Sequence, residues 1–219
     1  MSTIFLDRDG VINENRSDYV KSWSEFRFLP GSREAIARLT QAGHRLVVCT
    51  NQAGIAKGVF SIDTVEDIHQ RMLAEIRDSG GVIEKVYYCP HDKEEHCDCR
   101  KPHPGQLLRA SQELGLDLSD AVFVGDSASD VQAGRAAGVR SILVLTGLGM
   151  ESLRIFQHDA DRSFRIAMNL KHAAELILKG MYIFGEAPTS LERACYALLD
   201  TDDPAASLYP LREQLAIYS

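Results

Sequence analysis

Four short stretches of the chain bring together residue types that handle phosphate. Asp7-Arg8-Asp9-Gly10 follows the apolar run Thr-Ile-Phe-Leu, and Thr50-Asn51-Gln52 follows Leu-Val-Val-Cys. Arg100-Lys101 follows a cysteine-rich loop, and Gly125-Asp126-Ser127 follows Ala-Val-Phe-Val, with Asp130 four residues after Asp126. Asp7 and Asp9 are two residues apart, so at the end of an extended strand their side chains fall on one side. One of the pair can attack phosphorus while the other handles protons. Three carboxylates and a phosphate repel one another unless a cation joins them. Mg²⁺ is hard, prefers oxygen and needs few protein groups, so Asp7, Asp126 and the backbone carbonyl of Asp9 suit it. Gly10 would let backbone N–H groups approach the phosphate. Thr50 and Lys101 would neutralise the oxygens of the transferring group. Polar residues at one strand end mean little, but solvated loops do not account for three such ends.

The stretch Cys-Pro-His-Asp-Lys-Glu-Glu-His-Cys-Asp-Cys-Arg-Lys-Pro, 89–102, holds three of the five cysteines. Cys89, Cys97 and Cys99 with one imidazole would close a tetrahedral, structural Zn²⁺ site. His91 and His96 both lie within reach; His103 follows the loop. A disulfide is disfavoured in a reducing compartment, and unligated surface thiols would be prone to oxidation. Zn²⁺ would give the loop the rigidity Lys101 needs, and residues 92–96 are charged because they are exposed between ligands. Cys49 reads as a packed core thiol and Cys195 as helix packing. Thr146-Gly147-Leu148-Gly149 carries no nucleotide motif. Tyr19 and Trp23 either shape the mouth of the site or pack on a strand edge.

These edges need a scaffold, and the apolar pattern supplies one. Strands are expected over 3–7, 44–50, 82–88, 121–126, 141–146 and 161–167. Helices are expected over 31–43, 64–81, 104–115, 129–138 and 169–180. Alternation of the two implies an α/β fold with a doubly wound parallel sheet, whose ligands bind at the carboxyl ends of the strands. Residues 181–219 break the rhythm. Thr189 and Glu192 stand at capping-box spacing, and a further helix around 204–219 would break near Pro210. The expected organisation is one unit over 1–180, with a zinc loop at 89–99, and a helical appendage over 181–219. The 219 residues are 45% hydrophobic and 25% charged, enough for one sizeable core. A net charge of -7 implies no general affinity for nucleic acid. The N-terminus has no basic start, and no apolar run approaches the ~20 residues a membrane helix needs. The expectation is a cytoplasmic monomer or weak homo-oligomer with no membrane or nucleic-acid partner.

The ordered strings "DRDGVIN", "VVCTNQAG", "RKP" and "VGDSASD" resemble the four motifs of the haloacid dehalogenase-like phosphatase superfamily. "TNQAGIAKG" and "CDCRKPHPG" resemble one branch of it, the D-glycero-D-manno-heptose 1,7-bisphosphate phosphatases, over roughly residues 3 to 180. The resemblance implies a Rossmann-like core without a large cap domain and a phosphorylated sugar substrate in heptose biosynthesis for surface polysaccharide. It implies that Asp7 becomes an aspartyl-phosphate, that Asp9 is the acid and later the base, and that Mg²⁺ binds Asp7, the Asp9 carbonyl and Asp126. It implies that Asp130 stands behind the metal, paired with Lys101, and that His91 is the fourth zinc ligand. Gly10, Asn51, Gln52, Arg100 and Lys101 would contact substrate, with Arg100 reaching a second, distal phosphate. The chain departs from the pattern at Ala53, where Ser is frequent, and at Ser127, where Lys is frequent. Histidinol-phosphate phosphatase, a sister branch, and a non-catalytic phosphate-binding protein are the alternatives.

Overall fold

The computed structural model describes residues 2–156, 163–181 and 189–199. Six parallel strands form one sheet: β1 (Thr3–Leu6), β2 (Arg45–Asn51), β3 (Lys85–Cys89), β4 (Val122–Gly125), β5 (Arg140–Val144) and β6 (Phe164–Ala167), in the order β3-β2-β1-β4-β5-β6. Helices α1 (Ser32–Gln41), α2 (Ile62–Asp78), α3 (Gly105–Leu114), α4 (Ala128–Ala136), α5 (Gly149–Ile155) and α6 (Leu170–Leu178) fill the connections, and α7 (Ser190–Leu199) follows. This is the expected doubly wound fold.

Strands covered on both faces have no polar side, so they appear in the sequence as continuous apolar runs. Alternate residues serve opposite faces. Ile4, Leu6, Val48 and Val124 join Ile36, Leu39, Ile68 and Leu176 in one core. Phe5, Val47, Cys49 and Phe123 join Leu107, Ala110 and Ala133 in the other. Helix starts follow capping chemistry. Ser61 accepts the Thr64 N–H and Asn169 accepts the His172 N–H. Ser127 and Asp130 form a capping box at α4.

The chain winds outward in both directions from β1 and β4, so the strand order reverses between these two. That switch point leaves a crevice at their carboxyl ends. The Asp7 N–H donates to the Val124 carbonyl at 2.9 Å, setting the ends of β1 and β4 level. Asp7 and Asp126 therefore leave neighbouring strands at the same height.

The elements after residue 181 are partly described. Helix α7 forms where the Thr189–Glu192 spacing predicts it: Glu192 N–H donates to Thr189 Oγ1 and Thr189 N–H to Glu192 Oε2. The helix expected over 204–219 lies outside the described residues. Helix α5 was not expected; it is short, and it begins in the Gly-Leu-Gly turn. No described helix is long and apolar enough to cross a membrane.

Candidate active site and metal centre

At the switch point, carboxylate oxygens of Asp7, Asp126 and Asp130 lie within 4.8 Å of one another, all three side chains buried. Lys101 Nζ sits among them, 2.9 Å from Asp7 Oδ1, 2.5 Å from Asp130 Oδ1 and 2.9 Å from the Cys49 carbonyl. Burial first, then the neighbouring Asp130 and Asp9 charges, push the Asp7 carboxyl up to about 6 against the pull of Lys101. Burial, Asp7 and Asp130 raise Asp126 well above the ordinary carboxylate range. Burial opposes the charge on Lys101, but Asp130 and Asp7 outweigh it and raise its pKa. One ammonium does not balance three buried carboxylates. A small divalent cation does, and the donors present are the hard oxygens Mg²⁺ takes. The backbone makes room for them: Gly10 (φ 82°) and Gly147 (φ 56°) both sit where a Cβ would overlap Asp126 Oδ2. The Leu148 N–H donates to that oxygen at 2.7 Å, and Thr146 Oγ1 donates to the Gly10 carbonyl at 2.6 Å. The Gly-Leu-Gly turn, which carries no motif of its own, thus aims Asp126.

Asp9 turns to a different set of partners. Arg8 Nη2 donates to both of its oxygens at 3.0 and 2.8 Å, Asn13 Nδ2 to Oδ1 at 2.8 Å and Gln52 Nε2 to Oδ2 at 2.9 Å. Burial would raise this carboxyl, but the Arg8 charge and these hydrogen bonds outweigh it and hold the pKa below the usual value. The cleft, about 210 Å³, is lined by Asp7, Asp9, Thr50, Lys101 and Asp126, with Asn15, Arg16 and Tyr19 among the residues completing its wall.

The cysteine loop closes on itself. Cys89 Sγ lies 3.5 Å from Cys97 Sγ and 3.6 Å from His91 Nδ1; Cys99 Sγ lies 3.5 Å from Cys97 Sγ and 3.3 Å from His91 Nδ1. With ligand bonds of about 2.3 Å for sulfur and about 2.0 Å for nitrogen, a tetrahedral Zn²⁺ needs edges of about this length. His91 is in the group and the exposed His96 is not. Burial raises the Cys89 thiol, whereas hydrogen bonds from its neighbours overcome burial at Cys97 and lower it to about 7. The loop is tied to the sheet by Asn51, whose Oδ1 accepts the Lys101 N–H at 3.1 Å and whose Nδ2 donates to the Lys101 carbonyl at 3.1 Å. Gln106 Nε2 bridges the Cys99 carbonyl at 2.9 Å and Asn51 Oδ1 at 3.2 Å.

Comparison with known proteins decides what such a site belongs to. The HAD-hydrolase-like family profile matches residues 98–173. D-glycero-beta-D-manno-heptose-1,7-bisphosphate 7-phosphatase of Pseudomonas aeruginosa is 45% identical over 152 residues, 69% of this chain and 85% of that protein. The enzyme of the same name from Bordetella bronchiseptica is 41% identical over 179 residues, 82% of this chain and 99% of that one. The chain belongs to the heptose-1,7-bisphosphate 7-phosphatase family. A crystal structure of D,D-heptose 1,7-bisphosphate phosphatase from B. bronchiseptica, complexed with magnesium and phosphate, superposes with a TM-score of 0.78 at 40% identity, covering 82% of this chain and 99% of that one.

Within this heptose-bisphosphatase chain, most residues expected at the site converge, and several make supporting contacts that the sequence did not suggest. Asp7, Asp9, Thr50, Asn51, Gln52, Lys101 and Asp126 line the cleft, and Asp130 pairs with Lys101. The Gly10 N–H donates to the Asn13 carbonyl at 2.7 Å, and the missing Cβ of this glycine allows the close approach of Asp126. Gln52 is buried against Asp9, Arg8 and Thr50 Oγ1, and Asn51 clasps Lys101. Arg100 is not among the cleft-lining residues; its Nη1 donates to the His91 carbonyl at 3.1 Å. The cation at the cleft mouth is Arg16, held by Asp18 at 3.0 Å and by the Tyr19 carbonyl at 3.1 Å. Tyr19 holds φ at 66°, an uncommon backbone for a bulky residue, and its ring packs edge-on to Phe60 beside the cleft. Trp23 stacks on Phe26 and packs against the core. Arg8, Asn13 and His69 were missed. The signal for the first two was present, since both sit inside the DRDGVIN string; nothing in α2 marks His69.

Proposed function

We propose that the protein is a Mg²⁺-dependent phosphatase that removes the 7-phosphate of D-glycero-D-manno-heptose 1,7-bisphosphate. The observation that carries this is Lys101 bridging Asp7 and Asp130 beside Asp126 at the switch point. In our reading the Asp7 carboxylate attacks phosphorus and the bond from phosphorus to the sugar oxygen breaks. Asp9 gives that oxygen its proton. Asp9 then takes a proton from water, which attacks the aspartyl-phosphate, releasing phosphate and restoring Asp7. Mg²⁺, held by Asp7, Asp126 and the Asp9 carbonyl, would neutralise charge on the phosphoryl oxygens. Thr50 and Lys101 hold the same oxygens from the protein side. In the free enzyme Asp9 stands as a carboxylate under Arg8; a phosphate arriving beside it opposes Arg8 and favours the protonated, donating form.

The second phosphate calls for a cation outside the metal site. Arg16 at the mouth and Arg100 beside Lys101 are the two we assign to it. The relatives are named for the β anomer, which makes β the anomer to assay first. We read residues 1–180 as the phosphatase unit, Cys89, His91, Cys97 and Cys99 as a structural Zn²⁺ site, and 181–219 as an appendage. The buried pairing of Glu192 with Arg165 and with the Ile166 N–H supports α7 as a cover for the open edge of β6. We read the protein as acting on a phosphorylated sugar in the cytoplasm, as a monomer or weak homo-oligomer. The test is kcat/KM on heptose 1,7-bisphosphate, fructose 1,6-bisphosphate and histidinol phosphate, with and without Mg²⁺. Preference for histidinol phosphate, or no Mg²⁺-dependent turnover, overturns the assignment.

A further inference from the structure

His69 is a buried histidine on α2, 5% exposed, with no part in the chemistry derived above. Its Nε2 lies 3.0 Å from Arg8 Nη1. A guanidinium only donates, so this nitrogen must be the acceptor and the ring must be neutral, with its proton on Nδ1. Burial and the adjacent Arg8 charge support that state, lowering the imidazole pKa to about 3. Tyr88, from β3, closes the other side of the ring at 5.6 Å between centroids. Arg8 is itself 1% exposed, and its remaining arm is committed to Asp9 Oδ1, Asp9 Oδ2 and Gln52 Oε1. Arg8 Nε has no partner. The orientation of the guanidinium therefore rests on two anchors: Asp9 with Gln52 on one arm and His69 on the other.

On the phosphatase reading, we propose that His69 is a positioning residue, which holds Arg8 by accepting its Nη1–H and thereby fixes the Asp9 carboxyl that protonates the leaving group. Without the acceptor, one arm of a buried guanidinium is unsatisfied, and the plane turns to find another partner. The paired contacts to Asp9 are then lost, and with them the placement that makes proton transfer efficient. Asn13 and Gln52 still bind Asp9, so its presence in the site does not depend on His69; its direction does.

Leaving-group chemistry separates positioning of the acid from general damage. A sugar alkoxide must be protonated as it departs, whereas p-nitrophenolate departs unaided. The value of kcat/KM reports the first phosphoryl transfer, so the later hydrolysis of phosphorylated Asp7 does not enter it. General acid catalysis contributes about 100- to 10,000-fold, so misplacing the acid in His69→Leu should lower kcat/KM on the proposed alkyl phosphate substrate, heptose 1,7-bisphosphate, about 10- to 100-fold. On p-nitrophenyl phosphate the loss should stay within about 3-fold. His69→Gln retains an acceptor, Oε1, and should stay within about 3-fold of wild type on both. If His69→Leu does not fold, His69→Phe gives the same reading, because it keeps a planar ring beside Tyr88 but offers no acceptor to Arg8; it too should lose alkyl turnover selectively. Equal losses on the two substrates, or a His69→Gln variant as poor as His69→Leu, overturns the inference while the phosphatase reading stands. A wild-type protein that turns over neither substrate overturns both.

Discussion

The neutral His69 makes a prediction about stability that requires no substrate. Its imidazole pKa is lowered by burial and by Arg8 to about 3, against an ordinary value of 6.5. Between those values the unfolded chain binds a proton that the folded chain refuses, so stability rises with pH across this window and is lost as pH falls through it. With both pKa values as given, the ring contributes almost nothing at pH 7 and destabilises by about 2 kcal/mol at pH 5. For a chain of this size that corresponds to a melting temperature lower by ~4–8 °C. Buried carboxylates titrate in the same range, so wild type alone does not isolate the effect. The assay is urea unfolding of wild type and His69→Gln at pH 7 and pH 5, read as a difference of differences. Wild type should lose about 2 kcal/mol more than the variant between the two pH values. Parallel losses would mean that His69 carries its proton in the folded state, and the hydrogen bond from Arg8 would then be misassigned.

The remaining tests concern the site itself. Asp7→Asn should abolish turnover, and Asp9→Asn should lower it about 100- to 10,000-fold; activity within a few-fold of wild type in either would refute the roles. Purified protein should hold one tightly bound zinc per chain, measured by elemental analysis, and Cys97→Ser should lower zinc content and melting temperature together; full occupancy in that variant contradicts the ligand set. Arg16→Ala and Arg100→Ala, each assayed on the bisphosphate and on a monophosphate lacking the distal group, separate the two candidate cations. The residue that meets the distal phosphate should lose about ten- to hundred-fold in kcat/KM on the bisphosphate alone, and equal losses on both substrates would assign that arginine to loop support.

The parts of this molecule legible in the sequence are those governed by burial and by local chemistry. The runs that became β1, β2, β4 and β5 are apolar on both faces because helices cover both, so their existence could be read directly. β3 was displaced, from 82–88 to Lys85–Cys89, because its limits are set by a neighbour: it pairs with β2 from Val47↔Lys85 to Asn51↔Cys89. Nothing local in Val-Ile-Glu marks that register. The clustered carboxylates at strand ends were legible for the same reason as the strands. The side-chain traffic among them was not. Gln52, Asn51 and Gly10 have the composition of substrate contacts, and Gln52 and Asn51 do line the cleft, but only tertiary placement reveals that the three also support Asp9, Lys101 and Asp126. His69 lies 60 residues from Asp9 in sequence, on a helix whose pattern accounts for it equally well as core.

The register of β3 also explains why the cysteine loop and Lys101 form one unit. Pairing Asn51 with Cys89 puts the first sulfur level with the residue that clasps Lys101 through both backbone groups. The chain leaves the sheet at Cys89, turns through the exposed residues 93–96 and returns at Cys97 and Cys99, two residues before Lys101. Without a link across its base this excursion would be free to open, and Lys101 would leave with it. The consequence is electrostatic as well as geometric. Removing one partner of a buried ion pair costs about 3–5 kcal/mol, and Lys101 is the partner of two carboxylates, Asp7 and Asp130. The Lys101 charge pulls the Asp7 carboxyl down against burial, so on the proposed mechanism the ammonium favours the ionised form that attacks phosphorus. On the proposed mechanism a metal on the four loop ligands therefore supports the nucleophile from a distance: it holds the lysine, the lysine favours the ionised Asp7, and loss of zinc should lower activity before it unfolds the sheet.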